Sequence, residues 1–358
     1  MSFMRGFFIA FLAAAIAAAA WFFHRRPSPA PGAEMQLKAA QRLYEAGDIA
    51  GALGAYSAFI AGHPKNGLAF MFRGQALLKT GEYDAAISDM SRAIALGYPD
   101  TEAHIWRGAI YGRFLGDWAR QAEDASAALA KDPLSVDARY IRAQALAHMQ
   151  SYAEAEKEMK IVVGMKPDDP FMRTELGRLR LAGGDASAAR ADARLALKLH
   201  PKYSDALVLL GDADMSAGLP LAAEKNYSAA LKILPAPAET RGLRARARLM
   251  RGDTAGAARD FLKSLELSGP AGAQDALNTA RTLYRAGQFA AALKFADAAA
   301  ADSHADAAAF ELRARIRHEL GDNAGALDDL RVFANADPSG GEKSAKAALL
   351  IRKTQKSK

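Results

Sequence analysis

Small and apolar residues recur along this chain on a fixed period. Ala or Gly stands at Ala40, Gly74, Ala109, Ala143, Gly177, Gly211, Ala245, Ala280 and Ala314. A second row follows at Ala52, Ala86, Ala155, Ala189, Ala223, Ala257, Ala292 and Ala326, broken only by Gln121. Between the rows a glycine recurs at Gly47, Gly81, Gly116, Gly184, Gly218, Gly252, Gly287 and Gly321, with Gln150 filling the one gap. Its interval is 34 or 35 residues wherever the series is unbroken. Ala and Leu with few breakers between these marks predict two helices per period. The glycine suits the left-handed residue that ends a first helix. The Asp after it, as in Asp48, Asp117, Asp185, Asp253 and Asp322, suits the cap of a second. Small residues on both sides let the two helices cross closely. Pro64, Pro133, Pro167, Pro201, Pro235 and Pro338 end the second helix, and Pro99 and Pro270 fall one residue late in the two 35-residue units. A period of this size marks stacked helical hairpins.

The segments GEYDAAISDMSRAI (81–94) and LLGDADMSAGLPLAAEKNYSAALKILP (209–235) carry the small, turn, Ala, aromatic and Pro positions together. In these the chain resembles the tetratricopeptide repeat family, with nine units over residues 33–340, starting at 33, 67, 102, 136, 170, 204, 238, 273 and 307. The resemblance implies an all-α fold, a right-handed superhelical solenoid of antiparallel hairpins whose first helices line a concave groove. It also implies protein or peptide partners held in that groove. Positions ten and six residues before the turn glycine then face it. They place Met71, Trp106 and Tyr140 in one row, and Gln41, Gln75, Gln144, Arg178, Arg246, Arg281 and Arg315 in the other. Glu311 also belongs to the ten-before row. Arg forms two-pronged bonds to carboxylates, so the Arg end suits an acidic segment. Trp106 and Tyr140 are rigid anchors of the kind found at binding hot spots. The competing readings are packing between repeats for the aromatics and a solvated helix face for the arginines. Some family members grip a C-terminal carboxylate with a Lys/Asn/Lys/Arg clamp; here Leu37, Gln41 and Phe72 stand at the corresponding early positions.

The ends differ from the repeats. Residues 6–23 (GFFIAFLAAAIAAAAWFF) are apolar or small throughout. At ~1.5 Å per residue they reach roughly 27 Å, enough to cross a bilayer. Trp21, Phe22 and Phe23 before Arg25 and Arg26 suit an interfacial belt and charged stop. Residues 1–26 are therefore expected to form a membrane anchor in the inner (plasma) membrane. A signal peptide cleaved after Ala20 is the alternative, with bulky Trp21 against it. The balance of flanking charge leans toward cytoplasmic repeats. Residues 27–32 read as a Pro-rich linker, and 341–358 as a capping helix through Ala345, Leu349 and Ile351 with a basic tail. Of the net charge of +7, residues 1–32 carry +3 and 341–358 carry +5, which leaves −1 for the repeats. Near-neutral repeats argue against nucleic acid as the partner. The order of membrane helix, aromatic belt, Arg-Arg and nine units resembles the layout of the lipopolysaccharide assembly protein B family. That family adds a Cys-rich metal tab, which this Cys-free chain lacks.

Candidate chemistry is sparse. Without Cys there is no thiolate nucleophile or thiolate metal site. The seven His are scattered without the i, i+4 pairing of a zinc helix, and no phosphate-binding Gly-rich loop occurs. Asp212 and Asp214 lack the spacing of a calcium loop. Adjacent acids such as Asp168-Asp169 and Asp328-Asp329 read as cap and solvent residues. The sequence thus predicts no catalytic residue, metal or cofactor. It predicts a bacterial-style, membrane-tethered scaffold that assembles proteins through its groove. An exported periplasmic adaptor in envelope assembly or secretion is the alternative.

Overall fold

The computed structural model describes residues 31–97, 100–234, 237–268, 273–301, 307–336 and 352. The apolar segment 6–23 lies outside the described residues, as does the tail 341–358 apart from Arg352. Among the described residues, no helix is long and apolar enough to cross a membrane.

The described residues form eighteen α-helices and no strand, arranged as eight hairpins and two further helices. These pair α1 (Pro31–Glu45) with α2 (Ile49–Gly62), α3 (Gly67–Thr80) with α4 (Tyr83–Ala95), and α5 (Asp100–Leu115) with α6 (Trp118–Lys131). Then come α7 (Val136–His148) with α8 (Tyr152–Met165), α9 (Pro170–Ala182), which packs on α8, then α10 (Ala186–Leu199), and α11 (Ser204–Ser216) with α12 (Pro220–Ile233). The last three pair α13 (Ala238–Met250) with α14 (Thr254–Ser268), α15 (Ala273–Arg285) with α16 (Phe289–Ala300), and α17 (Ala307–Glu319) with α18 (Asn323–Asn335). α1 begins at Pro31, inside the stretch that the sequence assigns to the linker. A proline is well suited to a first helical turn, where its missing N–H costs nothing.

Each predicted turn residue has positive φ, including Gln150 at +62° in the one slot without glycine. The next residue's N–H reaches a carbonyl five residues back, as in Asp48 to Leu43 at 2.9 Å and Asp253 to Arg248 at 2.9 Å. This satisfies helix-end carbonyls that would otherwise lack a partner. Asp48, Asp117, Asp185, Asp253 and Asp322 each accept a backbone N–H three residues on, at 2.8–3.0 Å, and so cap the second helix.

The α5–α6 turn departs from this pattern. Asp117 N–H reaches Tyr111 O, six residues back, so this turn holds one residue more. Consequently Gly108, and not Ala109, lies at the helix crossing, where an added Cβ would come within 3.1 Å of Asp124. The register of α5 shifts with it, and buried Ile105 rather than Trp106 takes the place of Met71. Gln121, the exception in the alanine row, is buried and donates to Ile141 O at 2.9 Å. Gly112 makes room for it: a Cβ there would collide with the Gln121 carboxamide.

The array divides into two compact units, up to Ala188 and from Ala189. In the first, Tyr56, Met90, Ile110 and Ile141 are fully buried between helices; in the second, Tyr227, Leu277, Leu283 and Ile316 are. Each such side chain contributes on the order of 1.5–3 kcal/mol through apolar burial.

Buried ion pairs repeat inside both units. Arg73 in α3 grips Asp89 in α4 with Nε and Nη2 at 2.7 and 2.8 Å, while its Nη1 donates to Ser57 of α2 at 3.2 Å. Arg107 does the same with Asp124 and Ser91, at 2.9, 2.7 and 2.8 Å. In the second unit Arg244 grips Asp260 and reaches Ser228, and Arg313 grips Asp329 and reaches Asp297. One guanidinium thus locks the two helices of a hairpin and also touches the hairpin before it. Asp329 is therefore a buried structural partner, a correction to its reading as a cap or solvent residue. Its neighbour Asp328 is exposed and pairs with Arg331 at 2.8 Å.

Candidate functional site

The first helices supply the candidate surface, and their packing sorts the residues that the sequence assigns to it. Met71 and Gln75 in α3 are buried, at 5% and 7% exposure, with Met71 in the core beside Phe72. Tyr140 is buried at 2%; its hydroxyl donates to Glu175 at 3.2 Å and accepts from Gln144 Nε2 at 2.9 Å. Burial pushes the Tyr140 hydroxyl well above the usual tyrosine range, so it stays protonated and donating. Trp106 is half-buried and packs against cores on both sides of α5. Met71, Trp106 and Tyr140 thus take part in packing between hairpins, while Gln144 bonds within its own helix. Gln41 is occupied as well: its Oε1 accepts from Tyr56 Oη at 2.7 Å and its Nε2 donates to Glu45.

The arginines are placed differently. Arg178 is half-buried and donates to Glu175 at 3.1 Å. Arg246 is exposed, and its charge acts on the Tyr227–Asp212 hydrogen bond, itself 2.7 Å long. Arg281 and Arg315 come together. With Tyr284, Arg285, Ala308, Glu311 and Leu312 they line a cleft of about 330 Å³ between α15 and α17. Arg285 is exposed and makes no hydrogen bond or ion pair with the described residues. Arg281 Nη1 reaches Asn278 only at 3.5 Å, the outer limit of a hydrogen bond. Arg315 Nη2 donates to Glu311 at 2.6 Å. Burial raises the Tyr284 hydroxyl, and the Glu319 carboxylate to which it hydrogen-bonds adds to the effect.

Three guanidiniums against one carboxylate give this cleft an excess of positive charge on an apolar floor formed by Ala308 and Leu312. Such a surface suits an extended segment bearing carboxylates. Among the described residues no group of three or more His, Cys, Asp or Glu could hold a metal ion. Tyr284 and Arg285 were missed by the sequence reading, which marked only Arg281 on α15. Their signal was the i, i+3, i+4 spacing from Arg281, which puts all three on one helix face.

Residues 37–111 and 113–170 match the family model described as tetratricopeptide repeat. No curated protein matches the chain. Among solved structures it is similar to a tetratricopeptide repeat protein from Parabacteroides merdae, with 17% identity, a TM-score of 0.58, and 67% of this chain and 94% of that chain covered. It is also similar to PilW, a type IV pilus biogenesis factor, with 19% identity, a TM-score of 0.53, and 58% and 96% covered. The C-terminal part of a repeat protein from Cytophaga hutchinsonii gives 15% identity, a TM-score of 0.50, and 67% and 97% covered. At these identities the likeness is one of fold. The resemblance in layout to the lipopolysaccharide assembly protein B family gains no support from these matches. Beyond residue 170 the same hairpin continues, with the same left-handed turn and the same Arg–Asp fork as in the matched segment. Residues 37–111 and 113–170 thus carry tetratricopeptide repeats, and the later hairpins share their build.

Proposed function

We propose that this protein is a membrane-tethered scaffold that assembles other proteins, and that it takes an acidic segment of a partner in the cleft between α15 and α17. The observation that carries this reading is the convergence of Arg281, Arg285 and Arg315 on one cleft, whereas Arg73, Arg107, Arg244 and Arg313 are locked in buried forks. Three guanidiniums that share one carboxylate are costly to hold together unless further counter-charge arrives. A partner's carboxylates supply it. Tethering is supported by the apolar run 6–23 and the arginines that follow. The hairpins are the part that meets the partner, with the inner membrane as the site of action.

The test is fluorescence anisotropy with the full chain and a labelled Gly/Ser peptide carrying glutamates, compared with its lysine counterpart. The glutamate peptide is expected to bind and the lysine peptide to fail. Arg281→Glu with Arg315→Glu should weaken binding by about tenfold or more, the equivalent of one or two charge-assisted hydrogen bonds. Arg246→Glu, outside the cleft, should have a smaller effect. Equal binding of both peptides would remove the acidic segment from the account.

A further inference from the structure

The cleft is already partly occupied by the protein's own carboxylate. Glu311 projects into it from α17 and holds Arg315 through Nη2 at 2.6 Å, one helical turn away. This contact differs from the four buried pairs. There, Asp receives Nε and Nη2 of one arginine together. In the cleft, Arg315 Nε finds no acceptor and is buried without one. Glu311, an i, i+4 neighbour on the same helix, holds Arg315 through one nitrogen, whereas a carboxylate arriving from outside can approach the guanidinium from its open side. The Glu311 side chain is also shielded, at 14% exposure, while Arg315 is open at 39%. The arginine can therefore turn toward a ligand, leaving Glu311 behind.

Resting on the reading of the cleft as an acidic-segment site, we propose that Glu311 is a resident competitor. The ligand is then a polypeptide segment with at least two carboxylates: one replaces Glu311 at Arg315 and another meets Arg281 and Arg285. Glu311 sets the threshold. A segment with one carboxylate only exchanges one pair for another, and gains little over solvent. A segment with two gains a pair that the free protein does not have. Glu311 is thus a specificity-determining residue that discriminates by number of charges, through repulsion as much as attraction.

The experiment compares three labelled Gly/Ser peptides, with two glutamates, one glutamate, or glutamines only, against the full chain and against Glu311→Gln and Glu311→Ala. Both substitutions are expected to tighten binding of the two-glutamate peptide by about two- to fivefold, the range for a half-exposed ion pair. They should also bring the one-glutamate peptide into the measurable range. In an Arg315→Gln background the gain should vanish, because the competitor then has nothing to guard. Unchanged or weaker binding by folded Glu311→Gln protein, checked by its circular dichroism and melting curve, would overturn the proposal and make Glu311 a residue that orients Arg315. Should Arg281→Glu with Arg315→Glu leave wild-type peptide binding intact, the cleft reading itself falls, whatever Glu311 does.

Discussion

Asp124 shows how much one buried carboxylate carries. It sits at 4% exposure and receives two bonds from Arg107, with His104 Nδ1 at 2.7 Å from the same group. Burial alone would raise its pKa, but the bonds from Arg107 and His104 outweigh burial and hold it below the usual aspartate value. A carboxylate depressed in the folded state binds protons less readily there than in the unfolded chain. Its stabilisation is complete above the unfolded value of about 3.9 and is lost as pH falls through the lower folded value. Asp124→Asn should cost about 1–3 kcal/mol at neutral pH, because Arg107 is left half-buried with a weaker partner. The variant should also show a shallower loss of stability between pH 5 and acid, as judged by urea titration at several pH values. A parallel pH profile in both proteins would assign the acid response to other groups. None of these forks was legible in the sequence as read. Their signal was an Arg and an Asp some sixteen residues apart, eight on either side of the turn glycine in three of the four. Each of these Asp stands mid-helix, seven residues past the cap position, where neither the turn nor the cap marks point.

At the scale of the element, the hairpin was largely legible and its exceptions were not. Turn position, cap and close crossing all follow from local residue chemistry, which is why the glycine series located nearly every turn. Gln150 tests this directly. A non-glycine residue at φ +62° strains its Cβ against its own carbonyl. Gln150→Gly should therefore stabilise the chain by roughly 1 kcal/mol, read from the shift in its denaturant midpoint. A loss would mean that the glutamine side chain contributes more than its strained backbone costs. The longer α5–α6 turn was misread for an identifiable reason. Pro99 falls late, which suggests an extra residue between hairpins. Yet Arg73 and Arg107 remain 34 apart, and the extra residue lies in the turn before Gly116. A helix can absorb an insertion at its end without moving the face it packs. The marker residues on either side then disagree about where it went.

For the whole molecule, the family resemblance pointed to the first helices as the binding surface, and the structure divides that surface in two. Met71, Gln75 and Tyr140 are buried, whereas Arg178, Arg246, Arg281 and Arg315 at the later marks keep partial or full exposure. Arg281 and Arg315 line the cleft between α15 and α17 together with the small Ala308. Periodicity reports which residues share a face; it does not report how far apart neighbouring faces stand. That depends on the volumes of all the side chains between them, which is why the cleft required the structure.

The central claim, that the protein works by receiving a partner at this cleft, is tested most directly by placing a photo-crosslinking amino acid in the full chain inside cells. One version carries it at Ala308 in the cleft, the other at Val332, which is exposed at 45% on α18. The account predicts a discrete partner adduct from position 308 that disappears when Arg281→Glu and Arg315→Glu are added, and no such adduct from position 332. Adducts from 332 alone, or an adduct from 308 indifferent to the loss of both arginines, would contradict it.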